Sequence, residues 1–253
     1  MMKPIGIIGG GMIGSQVARL AVSAGLNVII SNSRGPDSLR ELTDELGPLS
    51  RATTTSELAA QADIIIAAIP LVAYKKLDAD ELAGKIVVDT MNYYPERDGI
   101  MPEIRTAEIA SSELVQSHLH NSQVIRALNN MDWVRLASRA RAADSTERSA
   151  LPVAGNVKSA KRQVISLIEA LGYDAVDMGP LSESWRSEPT MPAYVLPYMG
   201  EIPRQFDTVS EREWFMTAPG AQVSALYLRD LLARAVRHDK MFGSTASLAG
   251  ASL

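Results

Sequence analysis

The residues best equipped for chemistry stand near the N-terminus. Gly9, Gly11 and Gly14 fit the spacing G-x-G-x-x-G, with Met12 and Ile13 between the last two glycines. An apolar run, Ile5 to Ile8, leads into them, and Val17, Leu20, Ala21 and Ala24 follow at helical spacing before Gly25. A strand that enters a glycine turn and opens a helix is the context in which this spacing binds a dinucleotide. Gly9 would permit the tight turn, Gly11 would let a pyrophosphate approach the backbone, and Gly14 would let helix and strand pack closely. The phosphates would rest on free N–H groups at the positive end of the helix dipole.

The next strand, Asn27 to Ile30, ends in Ser31-Asn32-Ser33-Arg34. Sites for NAD place a carboxylate here to bond the ribose hydroxyls, and that carboxylate would repel a 2′-phosphate. No acid occurs before Asp37. Arg34 can instead make a bidentate, charge-assisted pair with a phosphate, and Ser31, Asn32 and Ser33 can add neutral hydrogen bonds. The cofactor expected is NADP(H).

The elements that must hold these residues follow in alternation. A short helix is expected over 38–46, a strand near 52–55, and a brief helix over 57–60 capped by Ser56. Strand Asp63 to Pro70, a helical region over 71–82, strand Lys85 to Asp89, a helix from Ser111 and strand Gln123 to Leu128 come next. The continuous apolar strands indicate a parallel, doubly wound α/β sheet with a first domain at 1–150. Residues 151–253 are expected to form a smaller C-terminal α/β domain, containing strand Leu151 to Gly155, helix Ser159 to Leu171 and strand Tyr173 to Met178. It should end with an amphipathic helix from about Ala221 to His238 and a small-residue tail, Gly243 to Leu253, which is expected to lack fixed structure. Residues 135–148, rich in Arg, Ala and Ser, are read as a helix and an exposed connection.

Ligands of such sheets bind beyond the C-terminal ends of the strands. Ile69 and Pro70 end one strand and Asn92 follows another, and these are expected beside the nicotinamide. Tyr93, Tyr94 and Asp132 are candidate proton donors, and Asn129 would shape the second-substrate site with Met131. His118, His120 and His238 are the only histidines. The first two sit two residues apart at an exposed helix end, off a common face, so no metal site is expected.

Bulk composition narrows the class. A net charge of -4 gives no electrostatic reason to expect nucleic acid or an anionic membrane. There is no cysteine, which excludes disulfides, cysteine nucleophiles and thiolate metal sites. No signal peptide is read before the first strand and no apolar run reaches the roughly 18 residues of a membrane span. A cytoplasmic protein is expected. Val223, Leu226, Tyr227, Leu228, Leu231 and Leu232 form an apolar band on the last helix, from which a homodimer is expected, although the band could equally pack on its own core.

With the glycine motif, Asn32-Ser33-Arg34-Gly35-Pro36, Ala68-Ile69-Pro70 and Asp177-Met178-Gly179-Pro180-Leu181 in view, the chain resembles the NADPH:coenzyme F420 (deazaflavin) oxidoreductase family over roughly residues 3 to 200. That resemblance implies a Rossmann domain with a small C-terminal domain and self-association. It also implies direct hydride transfer between nicotinamide and deazaflavin. By the same resemblance Ser33 and Arg34 contact the adenosine phosphate, Ile69 and Pro70 lie beside the nicotinamide, and Asn129, Asn130 and Met131 fall on the deazaflavin loop. The chain departs from the pattern at Asn129, where the archaeal enzymes have a histidine. From Glu201 onward it extends past the family pattern.

Three functions stay open on the sequence. NADPH could reduce a stacked deazaflavin, which needs positioning more than acid–base chemistry. It could reduce a small carbonyl or imine, which needs a proton donor. The chain could also bind NADP(H) as a regulator without turnover, because fold does not fix function.

Overall fold

The computed structural model describes residues 3–105, 108–203 and 208–237. Eight strands form one sheet in the order β3-β2-β1-β4-β5-β6-β7-β8. The first half runs β1 (Ile5–Ile8), α1 (Met12–Ser23), β2 (Val28–Ser31), α2 (Arg40–Leu46), β3 (Ser50–Ala52), α3 (Thr55–Gln61), β4 (Ile64–Ala67) and β5 (Ile86–Asp89). Then come α4 (Pro95–Asp98), α5 (Pro102–Arg105), α6 (Ser111–His118), β6 (Gln123–Arg126) and α7 (Trp133–Ser138). The chain continues through β7 (Ala150–Gly155), α8 (Lys158–Ala170), β8 (Asp174–Gly179), α9 (Leu196–Met199), α10 (Thr208–Thr217) and α11 (Ala225–Arg234).

Alternation along each strand builds two cores, as a period of two requires. Val28, Ile30, Ile86 and Val88 pack on one face with Val17 of α1 and Val164 of α8. Ile29, Val87 and Val124 pack on the other with Leu58 of α3 and Val115 of α6. Both faces of the central strands are therefore apolar, which is why they read as unbroken hydrophobic runs.

The sheet is not wholly parallel. β7 pairs antiparallel with β6, and β8 is parallel to β7. An antiparallel neighbour begins at the edge where β6 ends, so the intervening segment need not cross the sheet. Residues 150–179 thus extend the sheet of the first 126 residues directly. The C-terminal ends of β1, β2, β4, β5 and β6 share one edge.

Local departures from the sequence expectations have physical causes. Thr54, not Ser56, caps α3: its hydroxyl accepts from Glu57 N at 3.2 Å while Glu57 accepts from Thr54 N at 3.1 Å. This reciprocal box starts the helix earlier and leaves β3 two residues before its expected place. The 71–82 region holds only a 3-10 turn, Leu71–Lys76. It stops because Asp78 accepts from the N–H groups of Asp80 and Glu81, at 2.9 and 3.0 Å, and turns the chain. The arginine-rich 135–148 segment is not a solvated face, because Arg135, Arg139 and Arg148 are buried. Arg148 donates to Asp174 at 2.8 Å and to the carbonyls of Arg141 and Glu169 at 2.9 and 3.0 Å. Arg135 lies 4.8 Å from the ring centre of Phe215 and 5.5 Å from that of Trp214, pinning α10 to α7. The last helix starts at Ala225, capped by Ser224. His238 and 243–253 lie outside the described residues.

Candidate active site

The glycine turn has the geometry its sequence requires. Gly9 has φ +114, and a Cβ there would lie 2.2 Å from the Ala68 carbonyl oxygen; one on Gly14 would lie 1.9 Å from that of Gly9. Both positions must be glycine so that β1, β4 and α1 can approach. Gly11 differs, since a Cβ there would meet nothing within 4 Å. Gly11 caps α1 without a side-chain hydrogen bond, and the first turn carries no acid. The N–H groups around Met12 and Ile13 therefore face an open cradle that a pyrophosphate fits.

The loop after β2 separates into two parts. Ser31 is fully buried and its hydroxyl accepts from Thr55 at 3.2 Å, so it supports the strand end instead of offering a free hydroxyl to the loop. Asn32 accepts from Arg34 N at 2.9 Å and also bonds Ser38, folding the loop into a local turn. That turn leaves Ser33 and Arg34 exposed. Arg34 has no ion-pair partner among the described residues. A free guanidinium beside an open helix terminus fits the 2′-phosphate of NADP.

Beyond the ends of β5 and β6 lies a buried polar hub. Asn92 Oδ1 accepts from Arg126 Nη2 at 2.8 Å and from Asn129 Nδ2 at 3.3 Å. Its Nδ2 donates to Asn129 O at 2.8 Å and to Tyr194 Oη at 3.4 Å. Tyr194 Oη in turn meets Tyr94 Oη. Arg126 is paired with Asp89 at 3.2 Å, and neither side chain is exposed. Ser112 also donates to Asp89, at 2.6 Å. Arg97 lies 4.9 Å from the Tyr94 ring centre and is held in a fork by Asp98, with both contacts at 2.8 Å. Burial pushes the Tyr94 hydroxyl above its ordinary range, against the opposing pull of Tyr194, Arg97 and Arg126. Tyr194 is raised further by its deeper burial and by the Tyr94 oxygen beside it.

The sequence candidates divide accordingly. Asn92, Asn129 and Tyr94 are brought together. Tyr93 is not with them: it packs in the second core, donates to Gly99 O at 2.8 Å and accepts from Met101 N at 3.1 Å. Asp132 caps α7 by accepting from Val134 N and Arg135 N, at 3.0 and 3.1 Å. Burial raises its carboxyl above the usual range against the attraction of Arg135. Met131 is buried in the first core. Asn129 is also buried, with its amide committed to Ser187 O at 2.7 Å. Ile69 and Pro70 stand at the end of β4, next to the glycine turn through the Gly9–Ala68 approach. His118 is half-buried: Nε2 bonds Leu77 O at 2.8 Å and the ring meets Tyr74 edge-on. Among the described residues no group of three or more His, Asp or Glu could hold a metal ion, and no helix is long and apolar enough to cross a membrane.

Sequence reading did not place Asp89, Arg126 or Tyr194 in this site. The first two left a trace: each is a charge closing an apolar run, Ile86-Val87-Val88 and Val124-Ile125, on what became neighbouring strands. Tyr194 left none, because it reaches the site from a proline-rich segment without periodicity.

Residues 4–93 match a family model described as NADP oxidoreductase, coenzyme F420-dependent. Among solved structures, the chain is similar to the hypothetical protein SMa0349 of Sinorhizobium meliloti. Identity is 31% and the TM-score 0.67, over 77% of this chain and 94% of that one. A candidate F420-dependent NADP reductase of Arthrobacter sp. FB24 aligns at 24% identity and TM-score 0.60, over 72% and 87% of the two chains. A pyrroline-5-carboxylate reductase of Coxiella burnetii shares the fold at 17% identity and TM-score 0.51, over 74% and 64%. No curated protein matches the chain.

Proposed function

We propose, from the premise that the chain belongs to the coenzyme F420-dependent NADP oxidoreductase family, that it transfers hydride between NADP(H) and a second reactant at the ends of β5 and β6, with the deazaflavin F420 as the leading reactant. The observations that carry the cofactor assignment are the open, uncapped cradle at Gly11 and, on the adjoining loop, Arg34, exposed and without an ion pair among the described residues. Gly9, Gly11 and Gly14 let the pyrophosphate reach the α1 terminus, Met12 and Ile13 present N–H groups, and Asn32 shapes the loop that offers Ser33 and Arg34 to the 2′-phosphate. Ile69, Pro70 and Asn92 would border the nicotinamide.

When bound, NADPH supplies the hydride; the chain's residues orient it and exclude water. Rapid mixing of the protein with NADPH and oxidised F420 is expected to bleach the deazaflavin absorbance. Persistence of that absorbance would exclude F420 as the reactant.

A second reading, reduction of a small carbonyl or imine, is favoured by one observation, the meeting of two phenol hydroxyls at Tyr94 and Tyr194. A substrate screen that follows NADPH loss separates the two. Tight NADPH binding without oxidation in either assay would instead support a regulatory binding protein.

The reading also includes a cytoplasmic homodimer. Of the expected apolar band, Val223, which precedes α11, and Leu228, Leu231 and Leu232 on it are buried in the chain's own core, whereas Leu226 and Tyr227 are exposed. Those two would form the contact, and sedimentation as a monomer at micromolar concentration would refute it.

A further inference from the structure

We propose that Tyr94 and Tyr194 form a directional hydroxyl relay that delivers the proton accompanying hydride transfer, with Tyr94 as donor to the reactant and Tyr194 as a positioning residue behind it. This rests on the reading that NADPH gives hydride to a second reactant at this edge of the sheet. It places the reactant among acceptors that carry a carbonyl, an imine or a ring nitrogen to be protonated as their carbon is reduced.

The direction follows from donor and acceptor chemistry. A guanidinium can only donate. Arg126 Nη2 lies 2.8 Å from one end of the Asn92 amide, so that end is the oxygen. The other end must then be the NH₂ that faces Tyr194 Oη. Tyr194 Oη accepts from Asn92, and because its hydroxyl has no other acceptor among the described residues, its own proton is assigned to Tyr94 Oη. The Tyr94 oxygen accepts it, and its remaining proton is free to point outward. Tyr94 is only half-buried, whereas Tyr194 is 7% exposed. The outward proton thus belongs to the residue nearer solvent.

The backbone supports this placement at a cost. Val195, directly after Tyr194, has φ 46 and ψ -59, a conformation that β-branched residues avoid. It is held there by Val195 N donating to Asn130 O at 2.8 Å and by Asn130 Nδ2 donating to Ala193 O at 3.0 Å. Leu128, at the end of β6, also has positive φ, 59. Strain of this kind persists where surrounding contacts over-determine it, and it concentrates at functional sites. Plain aromatic packing would not require a strained residue at this point.

Among the described residues, the charged groups acting on the pair are Arg97 of α4, held by Asp98, and Arg126 of β6, paired with Asp89; Arg135 of α7, paired with Asp132, lies against the α10 rings. Among the described residues, those of α10 that pack on this cluster, Trp214 and Phe215, are neutral. Arg97 and Arg126 both favour the phenolate form, which eases proton release from otherwise buried hydroxyls.

The step balances. As hydride reaches the acceptor carbon, the π electron pair moves onto the adjacent oxygen or nitrogen. The Tyr94 O–H bond breaks as that heteroatom gains its proton. The Tyr194 proton passes to Tyr94, and after the product leaves, the pair takes up one solvent proton through Tyr94, the more exposed of the two residues. The acceptor gains one hydride and one proton, and NADPH becomes NADP⁺.

The test compares wild type, Tyr94→Phe, Tyr194→Phe and the double variant. For Tyr94→Phe, kcat is expected to fall about a hundredfold, within the usual range for a general acid. KM and the NADPH Kd should change by less than about twofold, and the alkaline limb of the pH profile should disappear. Tyr194→Phe should lower kcat about tenfold and retain that limb. NMR of isotope-labelled tyrosine, with no reactant present, should show Tyr94 titrating at higher pH in Tyr194→Phe than in wild type, because its phenolate loses a donor. In wild type a solvent deuterium effect on kcat is expected, and this needs no variant. An unchanged Tyr94 titration, or a solvent effect of unity with Tyr94→Phe fully active, would overturn the relay. Failure of wild type to reduce any acceptor would overturn the hydride-transfer reading itself, and is recognised by its independence of the tyrosine variants.

Discussion

Asp89 and Arg126 end neighbouring parallel strands and pair with each other at 3.2 Å, with neither side chain exposed. The pair joins the ends of β5 and β6 beneath Asn92, so it sets the separation of the residues that would face the reactant. A buried pair is weak evidence for stability in itself, because desolvation offsets the attraction. Removing one partner is a different matter, since it strands a charge. Asp89→Asn or Arg126→Met is expected to cost about 3–5 kcal/mol in chemical denaturation. The double replacement should cost less than the two singles summed. Strict additivity would show that the pair does not couple the strands.

The fingerprint glycines should fail in different ways. A Cβ at Gly14 would lie 1.9 Å from the Gly9 carbonyl oxygen, whereas one at Gly11 would meet nothing within 4 Å. Gly14→Ala is expected to lower the thermal midpoint, with weaker nucleotide binding as a consequence. Gly11→Ala is expected to keep its midpoint and to weaken NADPH binding at least about tenfold, or about 1.4 kcal/mol. Calorimetry with binding titration on both variants checks this. A Gly11→Ala protein that binds normally would show that the cradle is not where the phosphates sit.

The glycine turn and the strands around it were legible because each of their residues acts locally. Gly9, Gly11 and Gly14 are read by spacing, and Val28 to Ile30 by its apolar run. Thr54 and Glu57 are equally local, and their spacing of three is itself the signal of the reciprocal box that starts α3. The rest depended on partners far apart in the chain. Arg135 looked solvated until α10 supplied Phe215 and Trp214, eighty residues later in the case of Phe215. Tyr94 could not be given a partner, because Tyr194 lies 100 residues away on a segment without periodicity. Antiparallel β7 was hidden for a similar reason: its residues suit either direction, and only the intervening segment decides.

Arg34 provides the test of cofactor choice. Its guanidinium is exposed and unpaired among the described residues, so its removal should leave the fold intact. Hydrogen bonds to charged groups contribute about 1.5–3 kcal/mol. Arg34→Ala is therefore expected to reduce the NADPH/NADH affinity ratio by at least about tenfold while changing NADH binding little. A ratio equal to that of wild type would return the choice to other residues of the loop.

Asp132 should give stability a pH dependence of unusual sign. Burial raises its carboxyl above the ordinary value of 3.8 despite the attraction of Arg135. In the folded state it therefore holds its proton to higher pH than in the unfolded chain. By linkage, its contribution is fully present below the unfolded value and is lost as pH rises through the folded one. Most paired carboxylates do the reverse and stabilise as pH rises. Asp132→Asn keeps an acceptor for the α7 N–H groups but cannot ionise. The stability of wild type relative to Asp132→Asn is expected to fall as pH rises above 3.8 and then to level off. Urea midpoints measured across that interval would reveal it. A difference that stays flat would mean that the attraction of Arg135 offsets the cost of burial, and one that grows with pH that it outweighs it.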